Sequence, residues 1–340
     1  MRAPLSEWHA AYPDRKERVT MTSEGAYRWQ PLVEREGTVV TESPWGPDDE
    51  IGRLNWITAE SQREVLARIV PGPSYDLAVS IFMGMPAWLG AGDPKYDIWM
   101  THTPSGTLVD NLSGAGPEVS AVYSYCGDAV TMYTHTGTHI DMLNHFGYHG
   151  RFWNGWSPEE HLGSRHWMRG GPEKFPNIVA RGVLLDIAAL HQTECLPPSY
   201  TITEADCVAA ADVQGLTFEK GDIIMVRTGR MRYWPDPDKY GVAAPGIGLE
   251  AARFLCEKAG AMIIGSDNDS VEVDPSEPGT YFPVHSYMFA TAGAPIIESL
   301  WLEDLAAAQV YEVAFLGGPL KLTGATGSPL RPMALPLQPR

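Results

Sequence analysis

The chain has 340 residues and a formal net charge of −17, with 44% hydrophobic and 20% charged residues. So acidic a surface repels phosphate backbones, which argues against nucleic acid as a partner, and no run of ~18 apolar residues is present to span a membrane. The length suits one large domain or two modest ones.

The opening segment, Met1 to His9, has no apolar h-region, which gives a cytoplasmic expectation. Cys126, Cys195, Cys207 and Cys256 form no CxxC pair and are expected as free thiols of a reducing compartment. Residues 1–45 are polar, rich in Trp, Pro and Gly, and only weakly periodic. They are expected as an arm laid over the body or over a partner subunit, with one domain over 46–340.

Residues 58–70 predict a helix capped by Thr58 and ended by Pro71. Residues 76–82 predict a strand, and 120–133 predict a hairpin around Cys126-Gly127-Asp128. Ser157-Pro-Glu-Glu160 has the form of a capping box. Val183–Ile187 is strand-like, and 203–212 helical. Gly221–Gly229 encloses a buried strand. Residues 249–259 predict one amphipathic helix with Gly260 as its C-cap. Then come a strand at 261–264, an Asp/Asn-rich turn at 267–269, a helix near 301–308 and a strand at 310–316. Strands and helices alternate without a strict βαβ repeat, so the expected class is α/β, with a mixed β core and surrounding helices.

The densest group of ligand-type side chains is His135, His139, Asp141 and His145. Gly137 and the flanking threonines disfavour a helix there. In an extended segment His139 and Asp141 lie on one face, and a bend at Gly137 can bring His135 to the same centre. Two imidazoles and a carboxylate suit zinc, manganese or iron, and three ligands leave a position for water, whose pKa falls to about 7. Burying four such groups without a cation would be costly. Trp88, Phe146 and Trp153 are candidate substrate-binding walls, with Trp99 and Trp156 as further aromatics. Glu298, flanked by Ile296, Ile297 and Leu300, requires a cationic partner if buried.

His135-x-Gly137-Thr138-His139-x-Asp141-x-x-x-His145 resembles the signature of the cyclase family, to which kynurenine formamidase, isatin hydrolase and trans-dienelactone hydrolase belong. Trp45-Gly46-x-Asp48-Asp49-Glu50-x-Gly52 and Asn144–Gly147 resemble its longer branch. Asp76–Ile81, Gly84-Met-Pro86, Gly221-Asp222, Arg227–Gly229, Pro245-Gly246, Gly265–Asp267 and Val271-Glu272 follow the family pattern. So do His285 and Ile296–Leu300, the distal His and Glu. Leu143 stands where the family usually has proline, which should alter the turn rather than remove a ligand.

The resemblance implies a kynurenine formamidase-like fold and a hydrolase of a small amide, lactam, lactone or ester; separately, a homodimer or higher homo-oligomer is expected, with the N-terminal arm crossing over. It implies His135, His139 and Asp141 as ligands of a divalent metal, Mn2+ or Zn2+, and His145 as general acid/base. His285 and Glu298 would help hold a second ion where there is one. Two other readings stay open. One is a mononuclear non-haem iron oxygenase using His139, Asp141 and a distal His; the other is a non-catalytic metal-binding protein. His9, His102, His149, His161, His166 and His191 lack comparable spacing, with His149 singled out only for its closeness to the motif.

Overall fold

The structure, a computed structural model, describes residues 27–338 apart from 112, 113 and 123. Residues 1–26 of the expected arm therefore lie outside the described residues. The organising element is a nine-stranded mixed sheet. Its strands run in the order Gly327–Pro329, His139–Asp141, Ile296–Glu298, Ile263–Ser266, Ile223–Arg227, Ile178–Asp186, Glu312–Gly317, Met333–Pro336 and Tyr75–Asp76. The three contacts joining 178–186, 223–227, 263–266 and 296–298 are parallel, and the outer contacts are antiparallel.

The central strands are apolar at nearly every position because both faces are covered. Ile224, Val226, Leu185 and Ile264 face one core with Ala211, Leu255, Cys256, Met288 and Phe289. Ile223, Met225, Leu184 and Ile263 face the other with Leu54, Leu302, Leu305 and Phe315. The alternation within Ile-Ile-Met-Val is thus a strand's two-residue period serving two apolar layers.

The helix starts behave as their sequence dictates. Thr58 and Thr203 each accept from the backbone N–H three residues on and complete capping boxes, over Ala59–Ala67 and Glu204–Gln214. Three expectations fail, and a fourth holds with a change of helix type. Of 76–82 only Asp76 joins a ladder, in the short strand Tyr75–Asp76; beyond it Leu77 N–H donates to Pro332 O and Val79 N–H to Thr138 Oγ1, so a loop and a side chain take the donors a strand would use. The 120–133 hairpin is replaced by a helical turn, Pro117–Ser120, and a strand, Gly127–Thr131, whose partner is Asp97–His102. Ser157 starts one helical turn without a side-chain cap. The expected 249–259 helix is present and Gly260 ends it with φ +77°, but it passes from α to π geometry at Phe254.

Within the described part of the expected arm, Pro31–Arg35 and Thr38–Thr41 form a hairpin. Trp29 donates to Ala292 O and Thr41 to Thr291 O. The cysteines are free, with Cys207 and Cys256 buried, Cys195 partly so and Cys126 exposed. No helix among the described residues is long and apolar enough to cross a membrane.

Candidate metal centre

The strand His139–Asp141 runs antiparallel between Ile296–Glu298 and Gly327–Pro329, with Glu298 opposite His139 and Ile297 opposite Ile140. Side chains alternate across a sheet and opposed residues share a face. His139, Asp141 and Glu298 therefore point together, while Ile140 and Ile297, fully buried, enter the core behind them. A one-residue slip would bury the three polar groups in that core, so the apolar pair fixes the register.

Gly137, at φ +64°, turns the chain ahead of the strand. His135 then reaches Asp141, its Nδ1 2.5 Å from Oδ1, and its Nε2 lies 3.0 Å from Thr326 Oγ1. Gly327 passes beneath this ring so closely that a Cβ there would come 2.5 Å from His135 Cε1. After the strand, His145 N–H donates to Met142 O. Leu143, in the place of the family's proline, is fully buried in the core. The turn stacks His145 on His135, with ring centroids 3.9 Å apart.

Two imidazoles have their tautomers set by acceptors behind them. His139 Nδ1 is 2.8 Å from Gly137 O, and His285 Nδ1 is 2.6 Å from Glu272 Oε1. Each Nδ1–H donates backwards, so Nε2 is the nitrogen aimed at the centre, where it can ligate once its own proton has left. Glu272 also accepts from the backbone N–H groups of Val284 and His285, so it caps the turn that carries His285. His139 Nε2 stands 3.2 Å from Asp141 Oδ1 and 3.3 Å from Glu298 Oε2, and His285 Nε2 stands 3.2 Å from Glu298 Oε1. Yet His139 Nε2 and Glu298 Oε1 are buried without a hydrogen-bond partner.

Potential ligand atoms thus converge on common points. Two overlapping sets, His135/Asp141/His145 and His139/Asp141/Glu298, each place one ligand atom per residue within 4.8 Å of the others, and Asp141 belongs to both. This nitrogen and oxygen donor set fits a divalent cation of the zinc or manganese kind.

The electrostatics show the same demand for positive charge. Burial lowers the pKa of His139, but facing Asp141 and Glu298 raises it well above the usual imidazole value. Burial lowers His285 too, yet Glu272 and Glu298 hold it up at about 10. Asp141 stays well below the usual carboxylate range despite burial, because His135, His145 and His139 surround it. His145 goes the other way: burial and neighbouring His135 push it well below the usual value, so its ring is held neutral.

The centre forms the floor of a cavity of about 480 Å³. Trp88 and Phe146 line it, as do Tyr133, Tyr281, Asp93 and Asp269. Trp153 does not belong to it and is a correction to the sequence reading. This ring is fully buried in the core, with its N–H donating to Asp49 Oδ2 at 2.9 Å. Trp156 is likewise core and Trp99 half-exposed on the 97–102 strand, while His149 is exposed and off the cavity wall. Sequence reasoning assigned no role to Glu272, Thr326 or Gly327. Only Glu272 left a local signal, a carboxylate between two valines that needs a partner once buried.

Residues 75–273 match the model of a family described as "Putative cyclase". Among solved structures, the chain is similar to a novel cyclase at 29% identity, with a TM-score of 0.76, covering 88% of this chain and 100% of that one. It is also similar to isatin hydrolase A from Labrenzia aggregata, bound to benzyl benzoate (20% identity, TM-score 0.55, 78% and 94% covered). Isatin hydrolase A from Ralstonia solanacearum is similar too (20% identity, TM-score 0.58, 77% and 91% covered). At 20% identity these two likenesses concern the fold alone. No curated protein matches the chain.

Proposed function

This chain belongs to the cyclase family, and from that premise we propose that it is a metal-dependent hydrolase of a small amide, lactam, lactone or ester. The observation that carries the reading is the pairing of Glu298 opposite His139, with Asp141 two residues along, on one buried face. On that face His139 Nε2 and Glu298 Oε1 are buried without a hydrogen-bond partner. His135, His139 and Asp141 would hold Mn2+ or Zn2+, and His285 and Glu298 would complete a second position that shares Asp141. When bound, the cation supplies Lewis-acid chemistry, acidifying water and stabilising negative charge on the carbonyl oxygen.

His145 does the proton work. Its side chain is 16% exposed, against 1–6% for His135, His139, Asp141, His285 and Glu298, so it is the ring turned most toward the cavity. Water adds to the carbonyl carbon, His145 takes its proton, and the C–N or C–O bond breaks as that proton passes to the leaving atom. Thr326 and Gly327 hold the His135 ring in place behind this exchange. Phe146, whose ring centroid lies 4.8 Å from that of His145, and Trp88 offer apolar surface to a planar substrate. The same reading takes residues 46–340 as one hydrolase domain with 1–45 as an arm.

An iron oxygenase would need only His139, Asp141 and one distal His, and would leave His135, His145 and Glu298 without work. The test is metal analysis of purified protein beside a hydrolysis screen over N-formyl anilines, isatins, lactones and aryl esters. The expected result is turnover of at least one class that chelation abolishes and Mn2+ or Zn2+ restores. A fully metal-loaded protein that hydrolyses none, or that consumes oxygen with an electron-donating cosubstrate, would overturn the reading.

A further inference from the structure

The walls of the cavity above the metal centre have a one-sided chemistry. Five carboxylates line it, Asp93, Asp141, Asp269, Asp274 and Glu298, and no lysine or arginine does. Asp141 and Glu298 belong to the centre itself. Asp274 is partly satisfied, its Oδ2 accepting from Ala243 N–H at 3.1 Å. Asp269 is different. It is only partly exposed, and among the described residues no other residue donates a hydrogen bond to its carboxylate.

Gly241 lies against that carboxylate so closely that a Cβ there would come 2.5 Å from Asp269 Oδ2, which closes one side of the group without offering it a donor. The arginine whose charge acts on Asp269 is occupied elsewhere. Arg230 is buried, and its guanidinium donates to the carbonyls of Tyr240, Lys239 and Val242. The opposite character is supplied by aromatic rings, Trp88, Phe146 and Tyr281, which offer faces rather than charge.

A carboxylate taken partly out of water, with only its own backbone N–H as a donor among the described residues, is expensive unless something that enters the cavity supplies another. Resting on the hydrolase reading above, we infer that Asp269 is a specificity-determining residue that accepts a hydrogen bond from an ammonium or other N–H donor on an aromatic substrate. The acidic wall around it disfavours substrates carrying an additional anionic group. The aromatic faces suit the ring, and can also receive a cation. Like charge facing like charge in a partly dehydrated cavity excludes the anion.

The test uses three benzamides of matched shape carrying a para aminomethyl, methyl or sulfonate group. Their binding to the full-length, metal-loaded chain is measured by titration calorimetry. The aminomethyl compound should bind about tenfold or more tighter than the methyl compound, as expected for a charge-assisted hydrogen bond, and the sulfonate should bind weakest. In Asp269→Asn the aminomethyl compound should lose most of that advantage, with the methyl compound, which offers no donor, changing less. A sulfonate that binds as well as the aminomethyl compound would overturn the inference, whatever the variant does. So would an Asp269→Asn variant, folded by its thermal melt, that weakens all three alike. Failure of the hydrolase reading has a separate signature, no turnover of any amide or ester by protein that still ranks the three compounds in the expected order.

Discussion

Asp267 and Glu298 are both buried carboxylates at the C-terminal ends of neighbouring parallel strands, yet their surroundings are built in opposite senses. Asp267 accepts from Thr228 N–H at 2.8 Å and its hydroxyl at 2.7 Å, from Gly229 N–H at 2.8 Å and from Arg230 N–H at 3.1 Å. Every donor comes from the chain, so the group closes a loop and belongs to the fold. Glu298 faces His139 and His285, whose Nδ1 atoms are turned away to Gly137 and Glu272, and its Oε1 has no hydrogen-bond partner. Burial alone therefore does not mark a functional carboxylate. What marks it is burial among electron-pair donors.

The largest effect should come from the centre. His139→Ala should lose its metal and its activity together, because one of few protein bonds to the ion is gone while the fold persists; a full metal complement in the variant, read by elemental analysis, would remove His139 from the ligand set. His145→Ala should lose about 100- to 10,000-fold in kcat while keeping its metal and its affinity for a product analogue. Loss of metal in that variant would make His145 a ligand, which its membership of the His135/Asp141 set allows.

Asp267→Ala should act on stability instead. Removing the acceptor leaves Thr228 N–H, the Thr228 hydroxyl and Gly229 N–H buried without it, while Arg230 N–H keeps Thr228 Oγ1, at a cost on the order of 3 kcal/mol in a urea titration. Metal stoichiometry of the folded protein should stay unchanged. If metal is lost while stability holds, the distinction between the two carboxylates fails.

Glu272→Gln sharpens the contrast from behind the centre. It should weaken metal binding about 10- to 100-fold by loosening the His285 ring, without removing a ligand. The smallest effect is a pH dependence. The folded-state pKa of His285, about 10, lies above its ordinary 6.5, so the protonated ring contributes stability that is complete below pH 6.5 and lost as the pH rises toward 10. Melting temperatures of chelated protein should fall across that window, and saturating metal should flatten the fall by taking the place of the proton. A decline of equal steepness with and without metal would count against a cation at His285.

Much of this was legible in the sequence because it is local. His139 and Asp141 share a face by the two-residue period of a strand, and Thr58 and Thr203 announce helix starts. The buried strand at 223–227 shows as an unbroken apolar run between glycines. The placement of Glu298 is not local: it depends on a register between segments some 160 residues apart, and only the resemblance pointed to it. Trp153 misled because a tryptophan near the motif serves core and cavity equally well until Asp49 is seen to take its N–H. The 76–82 strand misled for a related reason. Leu77 and Val79 alternate inward as a strand would, but their backbone donors go to Pro332 and the Thr138 side chain. The hydrophobic pattern is visible in sequence, whereas the hydrogen-bond partner is not.

The most direct measurement is calorimetric titration of chelated protein with Mn2+ and with Zn2+, repeated in buffers of different ionisation enthalpy. His139 and His285 carry raised pKa values, so the cation must displace protons to reach their nitrogens. The predicted result is saturable binding of one or two ions per chain, accompanied by proton release at neutral pH and weakened in Glu298→Gln. Binding that never saturates, or saturable binding that releases no proton and is untouched in Glu298→Gln, would contradict the claim that this buried carboxylate–imidazole cluster is a metal centre.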